Sequence, residues 1–134
     1  MSFLNYLKVF LITLPIFFII DMLWLGLIAK NFYQKHLGFL MGNVNWAASI
    51  IFYLIFIVGL VVFVIAPNLH EQSFIKILFM SALFGFVTYA TYDLTNQATI
   101  KDWPLIVTII DLMWGTLLAV LVSMISLFFS RLII

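Results

Sequence analysis

The chain contains no cysteine. Disulfides, thiolate metal sites and cysteine nucleophiles are therefore excluded together. Charge is the next scarcity: only 8% of the 134 residues are Asp, Glu, Lys or Arg. A soluble domain of this size carries about a quarter. The six Lys and Arg residues are scattered, and the formal net charge is +1, so nothing in the sequence offers a nucleic-acid footprint. Phosphate loops, dinucleotide fingerprints, His-Glu-x-x-His and Gly-x-Ser-x-Gly are all missing. No serine has a His and Asp set around it, and no catalytic residue is assigned.

What remains is apolar. Hydrophobic residues make up 66% of the chain. That much apolar surface has nowhere to hide in water, but it can face hydrocarbon. A span needs about 20 mainly apolar residues. Four stretches qualify: about 3–29, 46–66, 74–96 and 104–129. The first is too long for a signal-peptide core and has no small-residue cleavage pattern after it, so it is expected to be a span. The second is expected to stop at Pro67, and Asp102 and Pro104 supply a start signal for the fourth. Alternation is absent, so strands are not expected. The fold expected is all-α: one domain over residues 1–134, a polytopic bundle of four transmembrane helices whose partner is the lipid bilayer.

Four spans put both termini and the turn at residues 67–73 on one side, with residues 30–45 and 97–103 as loops on the other. Lys8, Lys76 and Arg131 flank the first side, and Lys30, Lys35 and Lys101 flank the second. The basic-residue rule is therefore tied and gives no orientation.

Three of the five acidic residues, Asp21, Asp93 and Asp111, lie inside apolar spans. An ionisable group in hydrocarbon costs at least ~2.5–3.5 kcal/mol, so it needs a reason. All three fall toward the face that carries the loops at 30–45 and 97–103. No Lys or Arg lies near them in the spans, so neutral donors, protons or a bound cation must balance them. Helical spacing adds a small or polar stripe to each later span. The second span offers Asn45, Ser49, Phe52, Phe56 and Gly59. The third offers Ser81, Gly85, Thr88, Tyr92, Thr95 and Thr99, with Tyr89 and Asp93 on its shoulder. The fourth offers Thr108, Asp111, Gly115, Ala119 and Ser126. Membrane helices turn such stripes toward each other.

Aromatic residues make up 18% of the chain. Trp46 and Trp103 suit an interfacial belt. Trp24 and Trp114 each lie one helical turn from an intramembrane Asp and are candidates for a pocket wall. The strings Asp21-Met22-Leu23-Trp24 and Asp111-Leu112-Met113-Trp114 repeat one pattern in oppositely directed helices, which hints at an inverted relationship. His36 and His70 fall on opposite membrane faces, so one haem in one protomer cannot use both across a core of ~30 Å. A symmetric dimer could pair two copies of one histidine, and His36 is the candidate haem ligand.

The stretch Tyr89-Ala90-Thr91-Tyr92-Asp93-Leu94-Thr95-Asn96, followed by Ala98-Thr99 and Trp103-Pro104, resembles a family of small bacterial predicted membrane proteins. Asp21-Met22-Leu23-Trp24-Leu25-Gly26, Phe32-Tyr33, Phe52-Tyr53 and Asp111-Leu112-Met113-Trp114-Gly115 fit the same pattern. That family is catalogued as domain of unknown function number twenty-one seventy-seven. The resemblance covers essentially the whole chain. It implies a multi-pass protein of the bacterial inner membrane and supplies no activity. The matching positions are Asp21, Trp24, Tyr33, Tyr92, Asp93, Asn96, Asp111 and Trp114; His36 and His70 are not among them.

Four function classes stay open. The leading one is binding or transport of a small amphipathic or cationic ligand, or of protons. Its site is expected at Asp21, Trp24, Tyr33, Tyr89, Tyr92, Asp93, Asn96, Asp111 and Trp114, in a protein expected to form a homodimer. The second is a haem- or pigment-binding dimer. The third is a lipid-modifying enzyme with paired carboxylates as acid and base. The fourth is a structural bundle in which the acids only hold helices together.

Overall fold

A computed structural model describes residues 1–134. There are five helices and no strands, and four of the helices are long and apolar enough to cross a membrane. Helix α1 (Phe3–Leu23) begins at Ser2, whose side chain accepts from the Asn5 N–H at 3.2 Å. Its last part widens into a π turn, Trp24–Ile28, closed by the Ala29 N–H donating to the Trp24 carbonyl at 2.8 Å. Pro15 lies inside α1. Membrane helices tolerate such a residue where packing re-satisfies the backbone.

The segment after α1 departs from the loop expected over residues 30–45. Lys30–Leu37 folds as a two-turn helix, α2. Those eight residues contain no Gly or Pro, and Gly38 follows directly. Helix α3 (Trp46–Leu60) starts on Asn45, whose side chain accepts from the Ala48 N–H at 3.1 Å. The same span continues through a π turn, Val61–Ile65, and a 3₁₀ turn, Ala66–Asn68, so Pro67 is accommodated in the last turn. Helix α4 (Phe74–Thr99) runs three residues past its expected end. Helix α5 (Leu105–Ile133) runs four past.

Helix α5 is the axis of the bundle, packed along α4 for most of its length and against α1 on another side. Val9, Phe17, Ile57, Leu60, Leu118 and Val122 are fully buried around it. Large apolar residues such as Leu11, Ile19, Ile55, Phe63 and Phe79 are mostly exposed on the outside. This is the pattern of a bundle solvated by lipid chains.

Two of the three expected stripes need correction. In α5 the stripe is buried as expected, at Thr108, Asp111, Gly115, Ala119 and Ser126. In α4 the packed face runs through Ile77, Ser81, Gly85 and Asp93, while Tyr92, Thr95 and Thr99 are exposed. The Thr95 and Thr99 hydroxyls donate to carbonyls of their own helix and need no neighbour. In α3 the packed residues are Phe56, Ile57 and Leu60, continuing as Val61, Val64 and Ile65. Asn45 is spent on capping and Ser49 donates to the Asn45 carbonyl, and from Trp46 to Phe52 every residue but Ser49 is exposed, so the start of α3 stands outward.

Asp102 does not cap α5 either. Pro104 occupies that place with no side-chain cap, and Asp102 sits at φ 60, the left-handed turn residue between α4 and α5. Trp103, expected in an interfacial belt, is instead buried. Its indole N–H donates to Thr108 at 3.1 Å, Thr108 donates to Gln97 Oε1 at 2.9 Å, and Gln97 donates back to the Trp103 carbonyl at 3.0 Å. This closed ring fixes the α4–α5 connection.

The two backbones come closest at Gly85 and Gly115. A Cβ on Gly85 would strike the Gly115 carbonyl and the Ala119 methyl, and a Cβ on Gly115 would strike the Tyr89 ring. Close approach of this kind is what small residues allow in membrane bundles. Gly85→Ala is therefore expected to destabilise the protein by about 1–3 kcal/mol, because a carbonyl cannot move aside. Gly26→Ala, which adds a methyl to open space, is expected to change stability by no more than about 0.5 kcal/mol. Thermal unfolding in one detergent compares the two; equal midpoints would refute the close-packing argument.

Candidate functional site

The π turn at the end of α1 swings Trp24 inward, and α2 folds back to bring Tyr33 over the end of the bundle. Trp24 and Trp114 stack with ring centroids 4.4 Å apart and planes 7° from parallel. The Trp24 indole N–H donates to the Tyr33 hydroxyl at 3.1 Å, and Tyr33 donates to Asp111 Oδ1 at 2.5 Å. Burial first, and the Asp111 carboxylate second, push the Tyr33 hydroxyl well above its ordinary pKa, so it remains a donor.

Asp21 has a parallel setting. The Tyr53 hydroxyl and the Trp114 indole N–H face its carboxyl, although Trp114 Nε1 closes no hydrogen bond of good geometry. The repeated Asp-x-x-Trp strings therefore exchange partners. The tryptophan of the first turns toward the acid of the second through Tyr33, and the tryptophan of the second turns toward the acid of the first.

Asp93 is the exception to this pairing. It is fully buried, and neither carboxyl oxygen has a hydrogen-bond partner among the protein groups. It faces the Asp111 carboxyl within hydrogen-bonding reach. Two carboxyl groups so placed repel each other unless a proton or a cation lies between them. The protein supplies no cation: the ion pair of the structure is Lys76–Glu71 at 2.6 Å, at the other end of the bundle.

Beside this pair a groove of about 310 Å³ is lined by Phe52, Phe56, Thr88, Tyr89, Tyr92 and Asp111. It opens on the outer surface, where Phe52 and Tyr92 are 51% and 59% exposed. The outward first half of α3 leaves it open. Tyr89 lies over Gly115 and within electrostatic reach of Asp21, Asp111, Tyr33 and Tyr53.

A family model described as "Predicted membrane protein (DUF2177)" matches residues 6–128. The chain belongs to that family. No curated protein and no solved structure matches it. The DUF2177 match takes in the second and third spans whole, most of the first and fourth, and every residue of the acidic cluster.

Of the residues expected in the site of this DUF2177 protein, Asp21, Trp24, Tyr33, Tyr89, Asp93, Asp111 and Trp114 gather into one connected cluster. Tyr92 lines the groove from its outer edge. Asn96 lies a turn beyond and contacts the Tyr92 hydroxyl rather than any acid. His36 is apart from them: its ring lies 4.8 Å from that of Phe32 within α2. No three His, Cys, Asp or Glu residues are grouped to hold a metal ion. Tyr53 and Phe56 were not expected in the site. Tyr53 adjoins Phe52 and lies four residues from Ser49, but among 24 aromatic residues that spacing alone does not single it out.

Tyr33→Phe removes one donor and one acceptor from the Trp24–Tyr33–Asp111 chain. It is expected to cost about 1–3 kcal/mol in thermal unfolding, because it leaves an acid short of its donor. Asp93→Asn is expected to melt no lower than the parent, since the amide N–H can donate to Asp111 and replace a shared proton. A large loss of stability in Asp93→Asn would mean that the two carboxyl groups do not face each other as described.

Proposed function

We propose that this membrane protein binds a small amphipathic organic cation taken from the bilayer. Its ammonium would sit at the Asp93–Asp111 pair, and its apolar part would lie in the groove. The observation that carries the reading is Asp93: a carboxyl fully buried in an apolar span, without a protein donor, facing a second carboxyl. A bound cation supplies the missing positive charge, and a shared proton supplies it when the site is empty of ligand. The groove wall supports this choice of charge. Phe52, Phe56, Tyr89 and Tyr92 surround the approach to Asp111, and aromatic faces attract quaternary or protonated amines by about 0.5–2 kcal/mol. About 310 Å³ is the lower end of small-molecule sites, so the fit is to a headgroup and a short chain.

The test uses alkyltrimethylammonium ions of increasing chain length, with alcohols of equal chain length as neutral controls, on protein in lipid nanodiscs. The cation is expected to bind about tenfold or more tightly than the matched alcohol, since ~1.4 kcal/mol of charge recognition gives that ratio. Asp111→Asn is expected to erase the preference. Binding should also weaken as pH falls, because the cation competes with the shared proton. The other titratable groups facing the pair, Asp21, Tyr33, Tyr89 and Tyr92, carry no positive charge in any form. Equal affinity for cation and alcohol in the parent protein would reject the reading.

A further inference from the structure

The end of the bundle away from the acids combines an unbalanced charge with an apolar groove. Arg131, in the last turn of α5, donates from Nε to the Leu69 carbonyl at 2.8 Å and from Nη2 to the carbonyls of Asn68 and Glu71 at 2.9 and 2.6 Å. All three acceptors are neutral. A guanidinium has five N–H donors, so the two on Nη1 are left over. The charge is left over as well. The Glu71 carboxylate is taken by Lys76 at 2.6 Å and by the Ser73 N–H at 2.9 Å, and Arg131 forms no ion pair with any carboxylate.

Two hollows meet at this residue. One, of about 420 Å³, is polar, with His70, Glu71, Gln72 and Arg131 in its wall. The other, of about 340 Å³, is a groove between α4 and α5 that runs into the span. Ile77 and Leu127, both buried, form its floor, and Phe74, Phe128 and Leu132, all mostly exposed, stand along its sides. Gln72 and Arg131 belong to both hollows. From Arg131 to Met124 the groove follows α5 for about 10 Å, at ~1.5 Å per residue. A cation at the membrane face is therefore followed, going inward, by an apolar channel.

We propose that this end of the bundle binds one anionic glycerophospholipid, with its phosphate at Arg131 and Gln72 and one acyl chain in the groove over Ile77 and Leu127. Guanidinium groups match phosphate oxygens in geometry and in charge. Basic side chains at the membrane surface attract anionic headgroups, and the bilayer presents such a headgroup at the depth of a span end. A free phosphate would occupy the Arg131 hollow and leave the groove uncovered. A zwitterionic headgroup carries its own cation and gains less from Arg131. None of these residues takes part in the cation site at the other end, so the two readings fail separately.

The probes are dioleoylphosphatidylglycerol and dioleoylphosphatidylcholine, titrated onto the full chain after removal of lipid in a nonionic detergent, with native mass spectrometry counting the bound molecules. The first phosphatidylglycerol is expected to bind about fivefold more tightly than phosphatidylcholine, the ratio for one basic side chain at an anionic surface. Equal affinities would overturn the proposal. Inorganic phosphate at equal concentration is expected to leave the lipid bound; displacement would show an anion site to which the groove adds nothing, and would overturn it too. Position is read separately, with a phosphatidylglycerol that carries a photoreactive diazirine in its acyl chain. Label is expected on α5 between Met124 and Leu132 and on the first turns of α4. Label spread evenly over the four spans, or gathered on another face, would mean that the lipid does not sit here. Phe74→Ala combined with Phe128→Ala removes the sides of the groove without touching Arg131 or a buried residue. It is expected to weaken both lipids about threefold or more and to keep the ratio between them; unchanged binding would take the acyl chain out of the groove and reject the proposal.

Discussion

The contact of α4 with α5 at Gly85 and Gly115 sets the geometry of everything above it. With no side chain on either residue, the two helices meet backbone to backbone. Asp93 lies two turns beyond Gly85 on the packed face, and Asp111 lies one turn before Gly115 on its own. Close contact at the glycines, with each side chain leaning back toward the N-terminus of its own helix, brings the two carboxyl groups within reach of each other. The space that a Gly115 side chain would fill is occupied by the Tyr89 ring, which becomes the inner wall of the groove. A wider separation would leave two acids in separate polar pockets and remove the reason to look for a shared proton or a cation.

The four spans and the all-α fold were legible in composition and run length, because the hydrocarbon core demands about 20 apolar residues and satisfied backbone groups. The three intramembrane acids were legible for the same reason: they stand out against hydrocarbon. The details that failed are those in which a polar residue had a local alternative. Thr95 and Thr99 bond to their own helix, so they carry no information about which side of α4 meets a neighbour. Asn45 and Ser49 are consumed in starting α3. Trp103 looked like a belt residue until its indole found Thr108 across a tight turn. Helix α2 was hidden in a polar stretch whose only helical signal was the absence of breakers. The partner exchange between Asp21/Trp24 and Asp111/Trp114 was visible only as a repeated string, since the π turn that aims Trp24 has no signature in the residues.

Polar matter in this protein is concentrated at the two ends of the core, with apolar packing between them. One end gathers carboxyl groups, indoles and phenols around an aromatic groove. The other gathers the buried hydroxyls of Ser123, Ser126 and Ser130 and the Asn68 amide, where Arg131 donates to the carbonyls of Asn68, Leu69 and Glu71. The intervening layer of Leu118, Ala119 and Val122, with Phe17 and Leu60 from the neighbouring helices, is fully or almost fully buried. A bundle of only four spans thus keeps a dry middle while bringing polar groups inward from both faces.

The exchanged tryptophans have a further consequence for how the protein is made. Asp21 belongs to the first helix to be synthesised, and its indole partner belongs to the last. Asp93 likewise waits for Asp111. Until α5 joins the bundle, Asp21 has only the Tyr53 hydroxyl of α3 and Asp93 has no facing carboxyl, and an unfinished chain carries that penalty openly. The insertion of the final helix is therefore the step that buries every exposed liability at once, so complete assembly is favoured over any shorter intermediate.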